Sequence, residues 1–250
     1  MNEYVLLGLF FLIALFYSSI GFGGGSSYLA ILSLVLTDFY EIRTLALVLN
    51  VIVVTIGTIV FLRKRVFNWS LFWPFLLLSI PMAFFGAQLR LTEQVFFIIL
   101  GIALILAAVA MLAQSIIKKG RSTNLNSSKS MTLGGVIGML SGLVGIGGGI
   151  FLSPTLNLMK WQNAVTVASL ASFFILVNSL AGITGLVMND TFQLNASFAS
   201  GIIIAVMLGG LVGSQLSIKM NLNIIRRLTA ILVLYVGVRI VFLHGFGITI

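Results

Sequence analysis

The chain reads as an all-α polytopic membrane protein of two inverted-topology repeats, each a glycine-broken two-armed helical hairpin followed by three transmembrane helices. Three observations predict this. Apolar residues make up 60% of the 250 and charged residues 8%, with a mean hydropathy of +1.19; a soluble domain carries about a quarter charged residues to hydrate its surface. Landmarks in residues 1–117 recur in the same order in residues 131–250. Basic residues gather in three short clusters that one membrane side can hold.

Apolar runs such as 95–112 and 224–238, the second broken only by Arg226, Arg227 and Thr229, have the character of lipid-spanning helices. The first half divides into a broken segment, 4–20 then 28–36, and spans at 43–62, 71–90 and 94–117. The second half repeats the series: 131–143 then 150–159, followed by 163–188, 196–218 and 223–243. About 20 residues cross ~30 Å of hydrocarbon at about 1.5 Å per residue, whereas most arms of the broken segments are too short to cross comfortably. Residues 118–130 read KKGRSTNLNSSKS, a polar linker with a single large apolar residue, Leu125. Met1-Asn2-Glu3 has neither the basic flank nor the cleavage site of a removable signal peptide, so the segment from Tyr4 is expected to stay in the membrane.

The repeat rests on three pairs of landmarks. Gly21-Phe22-Gly23-Gly24-Gly25 matches Gly145-Ile146-Gly147-Gly148-Gly149 at an offset of 124. Asn50 with Gly57 matches Asn178 with Gly185 at 128, and Gly86-Ala87-Gln88-Leu89 matches Gly213-Ser214-Gln215-Leu216 at 127. With 26 glycines any one glycine match is cheap, but three ordered landmarks at a nearly constant offset are not.

Orientation follows from the excess of Lys and Arg in cytoplasmic loops. The clusters are Arg63-Lys64-Arg65, the linker with Lys118, Lys119, Arg121 and Lys129, and the 219–227 turn with Arg226. Placing all three inside puts both termini, the 37–42 loop with Asp38 and Glu41, and the Asn189-Asp190 loop outside. That arrangement requires the second half to be inverted and each broken segment to enter and leave on one side.

The glycine runs are not nucleotide loops: GFGGGSS lacks the Gly-Lys-Ser/Thr ending, and no βαβ unit surrounds it. Two readings remain. Small residues let membrane helices pack closely, as Gly134, Gly138 and Gly142 at four-residue spacing suggest. Alternatively Gly23, Gly24, Gly25 and Gly147, Gly148, Gly149 unwind the helix in mid-membrane and free backbone N–H groups, which is how inverted-repeat carriers build a solute site. Asn50, Asn178, Gln88 and Gln215 are either interhelical hydrogen-bonding groups or, being repeated, members of that site. Their amide N–H donors, with the hydroxyls of Ser26, Ser27 and Ser153 beside the glycines, suit an oxyanion. Arg43, Arg90 and Arg239 fall near outer span ends, where they would snorkel to headgroups; Arg90, two residues from Gln88, is the preferred candidate for attracting anions at the mouth.

Other classes lack their parts. The net charge of +9 reflects basic loops rather than a nucleic-acid partner. The chain has no cysteine and one histidine, His244, so neither a thiolate or multi-histidine metal site nor a Ser–His pair is expected, and no cofactor. Glu3, Asp38, Glu41, Glu93 and Asp190 all fall at span ends or loops, leaving no carboxylate dyad and no mid-membrane proton relay. A scaffold or insertion factor would carry larger soluble loops.

In GFGGGSSYLAIL, GLVGIGGGIFLSPTLNL and the Asn50 and Asn178 helices that follow them, nearly the whole chain resembles the TauE/SafE family of sulfite and organosulfonate transporters. The resemblance implies a secondary carrier, in the direction of export, for a small inorganic or organic anion such as sulfite, a sulfonate or a carboxylate, in a bacterial-type inner membrane. It leaves open an anion-selective channel with the same pore, and a homodimer.

Overall fold

The computed structural model describes residues 3–19, 21–116, 125–216 and 222–246. These form ten helices and no strand: α1 (Glu3–Ser19), α2 (Gly25–Leu32), α3 (Phe39–Arg63), α4 (Trp69–Gln88), α5 (Glu93–Ile116), α6 (Ser127–Val144), α7 (Gly149–Leu158), α8 (Ala164–Met188), α9 (Ala196–Leu216) and α10 (Leu222–Phe246). Six of them, α3, α4, α5, α8, α9 and α10, are long and apolar enough to cross a membrane. Large apolar side chains such as Leu106, Val109, Ile204, Leu208, Leu228 and Ile231 lie exposed, a surface that hydrocarbon solvates and water does not.

The expected broken segments are the pairs α1–α2 and α6–α7. Their interruptions match at two glycines: Gly21 and Gly24 have φ of 80° and 88°, and Gly145 and Gly148 have 83° and 82°, while Gly147 is left-handed and Gly23 is not. Side-chain-bearing residues avoid this left-handed region, so glycine is what allows each chain to leave one helix and start the next. Gly24 and Gly148 are the N-cap residues of α2 and α7. The linker is shorter than residues 118–130, because Asn126 is the N-cap of α6 and Ser127–Ser130 form its first turn. Polar composition marks a segment as outside the membrane; it does not stop the helix from beginning there.

The two halves interlock. Gly134, Gly138 and Gly142 of α6 lie against the carbonyls of Phe75, Ser79 and Ala83, and the rising numbers on both sides make α4 and α6 parallel. Gly209 and Gly213 of α9 meet the carbonyls of Phe11 and Leu15 in the same way, making α1 and α9 parallel. Each hairpin helix therefore packs on the second span of the other half, with backbones close enough that the small residue is required. In the centre α3 and α8 run antiparallel, Gly57 opposite Ser172 and Gly182 opposite Leu47, and so do α5 and α10, through Gly101 and Gly237. One apolar cluster joins Phe10, Tyr28, Leu49, Phe96 and Val233; a second joins Phe72, Phe75, Leu152, Leu170 and Phe174.

Candidate functional site

Both glycine runs meet beside Asn50, the twelfth residue of the 25-residue α3 and so near the middle of that span. The Asn50 side chain crosses to the other half, its Nδ2 donating to the Ile146 carbonyl at 2.9 Å. A Cβ built on Gly25 would lie 2.9 Å from the same Ile146 oxygen, so the first run touches the second at this point. Asn178, at the matching place in α8, donates from Nδ2 to Phe174 of its own helix at 2.9 Å. Both asparagines are fully buried.

Aromatic and hydroxyl groups close the rest. The Tyr17 hydroxyl lies 2.7 Å from Ser27 Oγ and 3.3 Å from Ser26 Oγ, tying α1 to the start of α2. The Tyr28 ring stacks on Phe10 and folds over Gly24, where an added Cβ would sit 2.8 Å from Cζ. On α7, Ser153 accepts from Asn157 Nδ2 through its carbonyl at 2.7 Å and its hydroxyl at 3.2 Å. Tyr17, Phe22, Gly23, Gly24, Gly25, Ser26, Ile146, Ile150 and Ile175 enclose a cavity of about 10 Å³. That is space for about one water and too little for a sulfite-sized anion, so the junction is closed.

Polar groups at this junction are under-used. The buried side-chain atoms with no hydrogen-bond partner among the described residues are Tyr28 Oη, Arg43 Nε, Asn50 Oδ1, Ser141 Oγ, Asn178 Oδ1 and Ser179 Oγ. Five of these six residues abut a glycine of the runs: Tyr28 on Gly24, Arg43 on Gly145, Asn50 on Gly23 and Gly25, Ser141 on Gly148, and Ser179 on Gly147. The backbone contributes too. The first helical hydrogen bonds of α2 and α7 come from Ser27 and Phe151, each to the N-cap carbonyl. The N–H groups before them lie in the opening turn, where a helix supplies no partner and presents its positive dipole end.

Gln88 and Gln215, expected around the gap, lie elsewhere, and Arg90 lies at a helix end as expected for a residue at the mouth. Gln88 ends α4, and its carbonyl accepts from Asn189 Nδ2 at 2.9 Å. Arg90 is exposed and donates to the Asn189 carbonyl at 3.2 Å, which holds the α4 end to the loop after α8. Gln215 is exposed near the end of α9. Sequence offset carries no information on depth, and both amides lie toward helix ends.

Arg43 corrects the snorkelling expectation. It is 2% exposed, and its Nη2 donates to the carbonyls of Gly86 at 3.3 Å, Ala87 at 3.1 Å and Gly142. These carbonyls belong to the last turns of α4 and α6, where the helix supplies few partners; that of Gly86 also accepts from the Leu89 N–H at 3.4 Å. Tyr17, Tyr28, Ser141 and Ser179 also escaped the sequence reading. The one available signal was spacing: Arg43 and Asn50 are seven residues apart, two turns, and share a face of α3.

Among the described residues ten helices, six of them long and apolar enough to span a membrane, define a multi-pass membrane protein. The chain belongs to the family described as sulfite exporter TauE/SafE, which matches residues 6–240. It is 29% identical over 236 residues to the probable membrane transporter protein y4hK of Sinorhizobium fredii (strain NBRC 101917 / NGR234), covering 92% of this chain and 95% of that one. No solved structure matches the chain. It is a membrane transporter rather than an enzyme, in keeping with a bacterial-type inner membrane.

Proposed function

We propose that the chain is a secondary carrier that exports small oxyanions, sulfite or organosulfonates, by alternating access across the glycine junction. One observation carries this reading: five of the six residues with an unpartnered buried polar atom line the two glycine runs. Burying a polar group without a partner costs roughly 1–3 kcal/mol, so their concentration in one place marks a site meant to be filled. The site comprises Gly23, Gly24, Gly25, Ser26 and Ser27 from one run, Gly147, Gly148, Gly149 and Ser153 from the other, and Asn50 and Asn178 between them. Of the unpartnered atoms the Tyr28, Ser141 and Ser179 hydroxyls and Arg43 Nε can donate, while Asn50 Oδ1 only accepts; the donors, in a carboxylate-free centre, favour an anion. The family's description as sulfite exporters supports the choice of anion.

The inverted repeat supplies the mechanism. Matching helices of the two halves run antiparallel, α3 to α8 and α5 to α10, as inversion requires. Rocking one half against the other would expose the junction first to one side and then to the other. At about 10 Å³ the cavity is too small for the anion, so the junction must widen for transport.

The test is flux in liposomes containing the pure protein. Labelled sulfite and methanesulfonate should move saturably and show counterflow, with acetate as the carboxylate comparison. Linear, non-saturating flux would instead establish a channel, and flux of acetate alone would reassign the substrate.

A further inference from the structure

We infer that Arg43 is the counter-charge for the transported anion and the residue that determines its selectivity for oxyanions. This rests on the carrier reading above and adds to it the missing cation.

A bland role is available to Arg43. Its guanidinium caps carbonyls at the C-terminal ends of α4 and α6, where the helix dipoles are negative. Three features exceed that role. First, all of these bonds run from Nη2, while Nε is buried with no acceptor. A guanidinium has five N–H donors in a fork that matches two oxygens of an oxyanion, and only one corner of the fork is used here. Secondly, the charge has no carboxylate partner: the five acids, Glu3, Asp38, Glu41, Glu93 and Asp190, are exposed or half-buried, and none pairs with Arg43. A full charge at 2% exposure balanced only by carbonyl dipoles is costly, and an anion would relieve that cost. Thirdly, the repeat does not need the charge. At the offset that pairs Asn50 with Asn178, the position of Arg43 is held in the second half by Ala171, buried and uncharged.

Position completes the argument. Arg43 and Asn50 leave the same face of α3 about 10 Å apart along the axis, and both touch the second glycine run, Arg43 at Gly145 and Asn50 at Gly147. With the Phe39 end of α3 outside, an exported anion leaving the junction in that direction passes the guanidinium on its way out. Exchanging helix-end carbonyls for two anion oxygens replaces dipole contacts with a charge-assisted pair. The same exchange releases α3 from the ends of α4 and α6, linking occupancy of the site to movement of the halves.

The test uses the full-length protein purified in detergent, with thermal midpoint followed against sodium sulfite, sodium methanesulfonate and sodium chloride, and flux measured in liposomes. Wild type should be stabilised saturably by sulfite or methanesulfonate at concentrations where chloride has little effect. Arg43→Gln, shown to be folded by its elution volume and its midpoint without anion, should need roughly thirtyfold more oxyanion or lose the response. Arg43→Lys keeps the charge and loses the fork, so it should fall between the two and discriminate less against chloride. Wild-type affinity in folded Arg43→Gln overturns the assignment and leaves Arg43 a helix-end cap, even with normal flux. If Arg43→Gln does not fold, Arg43→Lys decides, and unchanged affinity and selectivity there overturns it. Wild type that neither binds nor moves any of these anions sinks the carrier reading and the assignment with it.

Discussion

Asn50 donates to the Ile146 carbonyl at 2.9 Å, and this bond between halves has no counterpart, because Asn178 turns back to Phe174 of its own helix. The two asparagines thus differ in partner although their positions correspond in sequence. The Gly147 backbone, with φ of 84°, departs in the same way from Gly23, which is not left-handed. Such inequivalence is what a two-state carrier needs, since one side of the junction must be closed while its counterpart differs.

The two asparagines should separate stability from transport. Asn50→Ala removes a bond between halves and should lower stability by roughly 1 kcal/mol, within the range measured for interhelical hydrogen bonds in membranes. Asn178→Ala removes only a bond within α8 and should change stability by less. Both should reduce anion flux tenfold or more, since each removes a donor from the proposed site. Thermal midpoints and liposome flux of the two variants check this. Equal stability losses with unimpaired flux would make both residues packing groups.

Glycine substitutions should divide by backbone conformation. Gly148→Ala forces a methyl into the left-handed region and 2.8 Å from the Phe174 ring; the strain is roughly 1–2 kcal/mol and the overpacking about 1–3 more. Gly24→Leu meets the Tyr28 ring and should abolish transport. Gly8 lies in α1 with nothing within 4 Å of an added Cβ, so Gly8→Ala should leave stability unchanged or slightly raised. Midpoint and flux for the three variants measure the contrast, and a damaging Gly8→Ala would count against it.

Topology can be read chemically because the chain has no cysteine. Single cysteines at Ser127 and Asp190, both exposed, should report opposite sides. An impermeant thiol reagent added to intact cells should label Asp190→Cys and spare Ser127→Cys. Labelling of both at equal rate would remove the inverted arrangement.

How much of this was legible beforehand depends on what each residue's neighbours in sequence reveal. Spans of apolar residues and left-handed glycines announce themselves locally, which is why α3, α4, α5, α8 and the two breaks fall where composition places them. The stripe Gly134, Gly138 and Gly142 was readable as a packing face, but not the helix it faces, since α4 meets it from the other half. Arg43 was misread for the same reason. An arginine opening the 43–62 span looks like a snorkelling group until the ends of α4 and α6 are brought to it. Gln88 and Gln215 differ again: repetition suggested a shared role at the gap, and the structure places both toward helix ends.

The last prediction concerns coupling, and it follows from where the acids lie. Glu3, Asp38, Glu41, Glu93 and Asp190 all sit at helix starts or in loops, none of them buried. Asp38 has a local duty, accepting from the Tyr40 N–H at 2.8 Å as N-cap of α3, so Asp38→Asn is the proper substitution because it preserves the cap. Donors at the junction are N–H and O–H groups that keep their protons at physiological pH, and the guanidinium of Arg43 keeps its own. Proton dependence of flux should then come from the anion's own titration or from the membrane potential. The potential suffices, since moving one charge is worth ~2.3 kcal/mol per 100 mV, enough to drive anion export from a negative interior. Asp38→Asn, Glu41→Gln, Glu93→Gln and Asp190→Asn should each retain most of the wild-type flux, and the pH profile should keep its shape in all four. Liposome flux at stepped pH, with the potential clamped by potassium and valinomycin, separates the two drives. Loss of proton-driven flux in a single variant that still binds substrate would identify that acid as a relay and reverse this account of the energetics.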